Sequence, residues 1–329
     1  MSGIGRRDFI MLLGGAATWP LAARAQRPTM PVSGFLNSQS AAPSSHMVAG
    51  FRHGLSEAGF VGGQNIAIDY RWAEGQYERL PALANELVRR GVAVLVATGG
   101  EAAALAAKAA TAAIPVVFLI GGDPVKIGLV ASMNRPGANI TGLTLLTTSI
   151  DGKRIGLLKE LVPKASLIAA LINPDFPPAE NQQRDILEAA SQAGMRATVV
   201  KARAEMEFEP AFATLLDQHA DALIVCADPF FNSRRDQLVA LAARHRVPAI
   251  YEVREYASGG GLMSYGINIV ELYRGVAQYT VRILKGTKPT DLPVVQPTKF
   301  ELVINLMTAK ALGLNVPLHL EQFADEVIE

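Results

Sequence analysis

The residues best placed to do chemistry stand just after short apolar runs. They read Asn37-Ser38-Gln39, Thr98-Gly99-Gly100-Glu101, Gly121-Gly122-Asp123-Pro124, Asn173-Pro174-Asp175, Asp228-Pro229-Phe230 and Tyr251-Glu252. Each offers hydrogen-bonding groups or open backbone amides where a helix begins, and the helix dipole with its free N–H groups favours an anion such as a carboxylate there. Thr98-Gly99-Gly100 ahead of the 101–112 helix is the best candidate for that seat. Asp123, Asp228 and Glu252 can hold an ammonium group, and Phe230 and Tyr251 can lie on a ring or an aliphatic chain. Opposite charges at two anchors describe a zwitterion. Any one of these positions is at least as well read as an ordinary helix cap, since Asn, Asp, Ser and Thr favour caps anyway. Asp123 fits that role ahead of Pro124. The inference rests on all six ends together. The predicted ligand-contacting set is Asn37, Ser38, Thr98, Gly99, Gly122, Asp123, Asn173, Asp228, Phe230, Tyr251 and Glu252.

The apolar runs that position these residues alternate with Ala- and Leu-rich stretches of helical period, the pattern of βα units and a parallel sheet. In the first half, strands are predicted at 31–36, 65–70, 92–97 and 115–120, with helices at 47–58, 80–90 and 101–112. The second half repeats the plan, with strands at 167–172, 197–201, 222–227 and 248–251 and helices at 150–161, 181–193, 210–218 and 234–245. A short strand at 261–265, a helix at 270–284 and a strand-helix pair over 300–312 follow. Runs such as Val92-Ala-Val-Leu-Val-Ala97 are apolar throughout, which requires cover on both faces of the sheet. Two similar βα sets predict two similar lobes. The turn and β-prone stretch from Asn134 to Thr144 is read as a crossing between them, and the piece from Phe300 onward as a return. In open parallel sheets a ligand sits beyond the carboxyl ends of the strands. Trp72 is expected to pack in the core, with a place at the lobe edge as the alternative, and His245 to end a helix in solvent.

Residues 1–25 read as an export signal. Arg6 and Arg7 precede an apolar run from Phe9 to Ala23, and Ala23-Arg24-Ala25 supplies small residues where a signal peptidase cuts. The run is too short and too interrupted for the roughly 20 apolar residues of a membrane span. Arg6-Arg-Asp-Phe-Ile10 is similar to the twin-arginine export motif, so a bacterial periplasm is the expected compartment, with the general secretory route left open. The whole chain carries a formal charge of +1 over 329 residues. Losing the segment removes three arginines and one aspartate and leaves it slightly acidic, with no basic surface for nucleic acid. A chain of this length exceeds the size at which single cores stop growing, so two domains are expected. Cys226 is the only cysteine. It can form no internal disulfide or thiolate cluster, and its apolar setting predicts a buried strand position.

Several motifs are missing. There is no G-x-x-x-x-G-K-[ST] loop and no G-x-G-x-x-G after a strand, so no phosphate cradle is present. The stretch from Gly261 to Gly266 has one residue too many before Ser264 to match G-x-S-x-G. The five histidines fall in no ligand spacing. No cofactor, metal or reaction is expected.

Longer motifs carry a resemblance. The stretches Gly121-Gly-Asp-Pro-Val-Lys-Ile-Gly-Leu-Val130, Arg135-Pro-Gly-Ala-Asn-Ile-Thr-Gly-Leu143, Leu157-Leu-Lys-Glu-Leu-Val-Pro163 and Gln296-Pro-Thr-Lys-Phe-Glu-Leu-Val-Ile-Asn-Leu306 resemble the ABC transporter substrate-binding proteins of the tryptophan/tyrosine-type group. Ala311-Leu-Gly-Leu314 and Ala324-Asp-Glu-Val-Ile-Glu329 are similar to that family too. The family often has two glycines where this chain has Gly137-Ala138, and its first strand end, here Asn37-Ser-Gln-Ser40, varies widely. The resemblance implies an α/β fold of the type I periplasmic binding protein kind, two Rossmann-like lobes with parallel sheets joined by a hinge. The expected boundaries are 26–142 plus 264–295 for the N-terminal lobe and 143–263 plus 296–329 for the C-terminal lobe. It also implies a periplasmic, monomeric receptor that closes on a small organic ligand, an aromatic amino acid for instance, and delivers it to an ABC permease. A sensory binding protein or an exported enzyme on the same scaffold are the alternatives.

Overall fold

Strands that are apolar on both sides need helices on both sides, and that requirement organises the molecule. The computed structural model describes residues 30–145 and 150–329, so the expected export segment lies outside the described residues. The first sheet holds β1 (Val32–Asn37), β2 (Ala67–Trp72), β3 (Val94–Thr98), β4 (Val116–Ile120) and β5 (Ile140–Thr144). All five are parallel, in the order β2-β1-β3-β4-β5. Its helices are α1 (Ser45–Glu57), α2 (Leu80–Arg89) and α3 (Glu101–Ala110).

The chain then enters α4 (Asp151–Leu161), β6 (Leu167–Ile172), α5 (Ala179–Gln192), β7 (Arg196–Lys201), α6 (Phe208–Asp217) and β8 (Ala222–Val225). There follow α7 (Pro229–Ser233), α8 (Arg235–Arg244), β9 (Ala249–Tyr251), α9 (Arg254–Ser258), β10 (Met263–Gly266) and α10 (Ile269–Leu284). The last elements are β11 (Glu301–Asn305), α11 (Leu306–Ala311), α12 (Leu318–Phe323) and β12 (Glu326–Ile328). The second sheet runs β12-β11-β10-β9-β8-β6-β7, parallel except where β11 pairs antiparallel with β10. Its strands β7-β6-β8-β9-β10 repeat the order of the first sheet.

Alternation along each strand divides the cores. In β3, Val94 and Val96 join Phe51 of α1 and Val276 of α10 on one face, while Leu95 and Ala97 join Leu87 of α2 and Ala104 of α3 on the other. In β6, Ile168 and Ala170 pack with Ile186 of α5, and Ala169 and Leu171 with Phe212 of α6. Each large aliphatic side chain so buried contributes about 1.5–3 kcal/mol. The alanine-rich stretch after Glu101 is the tightly packed helix its composition predicts, with Ala103, Ala104 and Ala107 fully buried. Cys226 is buried in the second lobe as expected, but it lies one residue past the end of β8 rather than in the strand.

Helix α10 follows a strand of the second sheet but packs on α1 and on β3, β4 and β5 of the first. The two helices touch closely because Gly50 and Gly54 face α10. A β-carbon at either would come within 2.7 Å of a backbone carbonyl, that of Val270 or Arg274. Val295 then bridges to Leu143 at the edge of the first sheet, and β11 lies in the second. The chain therefore passes between the sheets three times. The β-prone stretch read as a crossing is itself the edge strand β5, and the passage begins after it. The piece from Phe300 onward pairs with β10 rather than only returning across. The expected boundaries at 142/143, 263/264 and 295/296 fall within β5, within β10 and beside the Val295 bridge. Among the described residues no helix is long and apolar enough to cross a membrane.

Candidate ligand-binding cleft

The strand order fixes where a ligand can sit. In the order 2-1-3-4-5 the connections leaving the first and third strands go to opposite faces, which opens a crevice at their carboxyl ends. Here α1 follows β1 on one face and α3 follows β3 on the other. In the second sheet the corresponding pair is β6 and β8. The residues at these two switch points, Asn37, Ser38, Thr98 and Gly99 on one side and Asn173 and Asp228 on the other, bound one cleft.

Asn37 and Thr98 sit side by side at the strand ends. The Asn37 amide nitrogen donates to Thr98 Oγ1 at 2.9 Å and to the Tyr273 hydroxyl of α10 at 3.1 Å, and the Gln39 N–H donates to its Oδ1 at 2.7 Å. Ser38 Oγ donates to the Gly99 carbonyl at 2.5 Å. Gly99 and Gly100 both have left-handed φ, 82° and 92°. A β-carbon at Gly99 would stand 2.5 Å from Ser38 Oγ, and one at Gly100 would stand 2.9 Å from Pro229 of the opposite lobe. The glycine pair therefore serves both the tight turn and the approach of the lobes.

Glu101, the first residue of α3, is fully buried. The Gly122 N–H donates to its Oε1 at 2.5 Å, whereas its Oε2 has no hydrogen-bond partner among the described residues. Burial raises its pKa to about 7, against the pull of the amides of Glu101, Gly122 and Gly121 and with a further push from Glu252. From the other lobe, Asp228 caps α7 by accepting from the Phe231 N–H at 3.1 Å. Its Oδ2 accepts from Asn173 at 3.2 Å and from the Tyr77 hydroxyl, across the cleft, at 3.0 Å. Burial again outweighs these bonds and raises its pKa to about 7. Glu252 accepts from the Asn232 amide nitrogen, and burial raises its pKa against the attraction of Arg154. Arg154 itself is fully buried, bonded to Asp151 at 2.6 Å and to the Tyr265 carbonyl at 2.8 Å.

The enclosed space is about 540 Å³, partly open to solvent. Its walls are largely apolar, with Met47, Leu119, Ile120 and Leu145 from the first lobe, Phe176 and Val253 from the second, and Ile269 and Tyr273 where α10 begins. Polar lining comes from Gln39, Glu101, Asp228, Asn232 and Glu252. Other contacts hold the lobes together around it. Gln39 Nε2 donates to the Pro229 carbonyl at 2.9 Å, Arg235 to the Pro43 carbonyl at 3.4 Å, and His46 lies 3.6 Å from Glu255.

Of the residues expected at the site, Gly99, Asp228 and Glu252 are on the cavity wall. Asn37, Ser38, Gly122 and Asn173 stand directly behind it, each bonded to a lining residue, and Thr98 is bonded to Asn37. Asp123 lies off the wall, where its Oδ1 accepts from the N–H groups of Val125 and Lys126 at the start of a turn rather than a helix. Phe230 packs against Phe208 and Phe231 and over Gly75, and Tyr251 stacks on Tyr256 with centroids 4.3 Å apart. Both rings belong to the core of the second lobe. Trp72 stacks on Tyr70 beside the first core. His245 is half-buried against Phe212 instead of standing in solvent. Sequence reasoning placed Glu101 at a strand end but outside the ligand-contacting set, and did not single out Phe176, Asn232, Ile269 or Tyr273. The buried face of α10, with Leu272, Tyr273, Val276, Ala277 and Thr280 at helical spacing, is the signal that would have brought Tyr273 in.

Removing the Tyr77 hydroxyl tests the closure. Tyr77→Phe leaves a buried acceptor on Asp228 short of one partner, which costs the closed arrangement about 1–3 kcal/mol. The ligand-free variant should show a larger radius of gyration in solution scattering with unchanged circular dichroism. Superimposable scattering curves would remove Tyr77 from the closure.

Residues 33–328 match the family described as ABC transporter substrate binding protein, and the chain belongs to that family. A tyrosine-binding protein of Clostridioides difficile (strain R20291) is 28% identical over 265 residues, covering 80% of this chain and 76% of that protein. Among solved structures, an ABC domain from Streptococcus pneumonia in complex with L-Trp is 25% identical with a TM-score of 0.81, covering 91% of this chain and 99% of the other. The ligand-free, open structure of a substrate-binding protein with adhesive properties from Clostridium difficile is also 25% identical at the same coverage, with a TM-score of 0.65. The fold is that of the type I periplasmic binding proteins, two α/β lobes with mostly parallel sheets.

Proposed function

We propose that this chain is the extracytoplasmic receptor of an ABC importer, closing two lobes on one small organic solute of amino-acid size. The observation that carries this is the single cavity at two facing switch points, to which each lobe contributes a buried carboxyl, Glu101 from one and Asp228 from the other. Closure by a ligand requires contact with both lobes, since only differential affinity moves the equilibrium. The L-Trp complex scores higher against this structure than the ligand-free, open one does at equal identity and coverage, which fits a closed arrangement here. The tyrosine- and tryptophan-binding relatives make aromatic amino acids and their derivatives the first solutes to try. In this reading residues 1–25 direct export to the periplasm and are removed. The lobes divide near residues 142, 264 and 295, the monomer docks on a permease, and no reaction is catalysed.

A thermal-shift screen of the mature protein against amino acids, aromatic amines, aromatic acids, purines and small carboxylates tests the proposal. At ligand near 100 times its dissociation constant, binding adds about 2.7 kcal/mol, a rise of several degrees at about 2–4 °C per kcal/mol in domains of 150–250 residues. Consumption of a compound without any shift in melting would replace the receptor by an enzyme.

A further inference from the structure

The charge inventory of the cleft is one-sided. Its described walls carry three acidic side chains, Glu101, Asp228 and Glu252, and no lysine, arginine or histidine. The undescribed residues 146–149, Leu-Thr-Thr-Ser, contain no base either. Arg154, which Glu252 feels, is engaged by Asp151 and the Tyr265 carbonyl and is not on the wall. A second observation concerns the seat expected for a ligand carboxylate at the start of α3. The first residue of α3 is itself a glutamate, whose carboxyl accepts from the Gly122 N–H just after β4 and is drawn by its own amide, so an acidic side chain of the protein already stands beside that seat. The third is Glu101 Oε2, fully buried on the cavity wall with no hydrogen-bond partner among the described residues. An acceptor left that way costs free energy until a donor meets it.

We propose that the cleft selects a ligand of net positive charge, an amine on an apolar, ring-sized body, over the zwitterionic amino acid with the same side chain. An ammonium has three donors and no acceptor, enough to serve Glu101 from one lobe and Asp228 from the other at once. A ligand carboxylate would be buried beside three acidic groups with no base on the wall, and an unpaired buried charge is costly. The mostly apolar lining suits an organic cation. Among the described residues no cluster of acidic, histidine or cysteine side chains is arranged to hold a metal ion. This inference rests on the receptor proposal and deepens it by naming the ligand's charge.

The test is calorimetric titration of the mature protein with tryptamine and tyramine, in parallel with L-tryptophan, L-tyrosine and indole-3-acetate. Each amine should bind at least tenfold more tightly than its amino acid, and indole-3-acetate should not bind. Glu101→Gln and Asp228→Asn, which keep shape and remove the charge, should each weaken the amine tenfold or more while melting cooperatively without ligand. Equal or tighter binding of the amino acids overturns the inference and leaves the receptor intact. So does amine binding that survives both substitutions, or binding only of a neutral or anionic solute. Failure of every solute class to bind overturns the receptor itself.

Discussion

Replacing Arg154 by methionine lowers the free energy of unfolding by about 3–5 kcal/mol, the loss expected when one partner of a buried ion pair is removed. Arg154 is fully buried and Asp151 almost so. The guanidinium holds Asp151 from one nitrogen and the Tyr265 carbonyl of β10 from another, so one side chain ties α4 to the strand that leads into α10. Even with this partner present, burial raises the Asp151 pKa to about 6. Without it the carboxyl must take up a proton or stand uncompensated, and Glu252 on the cavity wall loses the positive charge that offsets its own burial. Urea unfolding of Arg154→Met measures the loss. The Asp151→Leu, Arg154→Met double variant should recover most of it, because a well-packed apolar pair replaces a buried ion pair at little cost. A single-variant loss below about 1 kcal/mol would show that the pair contributes nothing beyond packing.

The ligand-free protein is expected to become less stable as pH rises through neutrality. Glu101 and Asp228 both have pKa values near 7 in the folded protein, against ordinary values of 4.5 and 3.8. The folded state thus holds protons that the unfolded state has released, and stability falls with pH wherever the folded state binds more. The contribution is complete below the unfolded values and is lost between them and about 7, at about 1.4 kcal/mol for each unit of separation. Asp151 acts in the same direction with its value near 6. His46 opposes it on the acid side. Burial holds that imidazole neutral despite Glu255, and Arg235 adds to the effect, so protonation below about 6.5 costs stability. Urea midpoints should therefore decline from pH 6.5 to 8, and Glu101→Gln with Asp228→Asn should flatten the decline. A flat profile in the parent protein would mean that these carboxyls are ionised and solvated in solution.

The alternation of buried strands and helices is legible because runs such as Val92 to Ala97 need cover on both faces, and Val94 to Ala97 do face two cores in turn. The switch points follow from strand order, so Asn37, Thr98, Asn173 and Asp228 could be placed at the cleft from position alone. Aromatic direction was harder. Tyr251 ends a strand, but it lies two residues after Ala249 and shares its face, which packs into the second core. Gly261 leaves room for the ring, since a β-carbon there would stand 2.8 Å from it. Read together, that period and that glycine turn Tyr251 inward. Glu101 was left out of the ligand-contacting set for the opposite reason. A glutamate at the first turn of a helix is so ordinary that its burial could be seen only once Gly122 was known to lie opposite.

The excursion of α10 has a consequence for how the chain becomes native. The first lobe lacks a helix that covers β3, β4 and β5 until residue 284 has been made, although its strands are complete by residue 144. During synthesis the part of the Phe51, Val96 and Val117 cluster that α10 will cover stays open, and such uncovered apolar surface invites aggregation. Docking α10 on α1 closes a loop of more than two hundred residues, the kind of distant contact that slows folding. The second lobe receives α4 before its own strands are made, and its sheet and core wait for β11, β12, Ala309 and Leu320 at the end of the chain. The two halves share a strand order, and neither lobe is complete until α10 and the strands after it have been made.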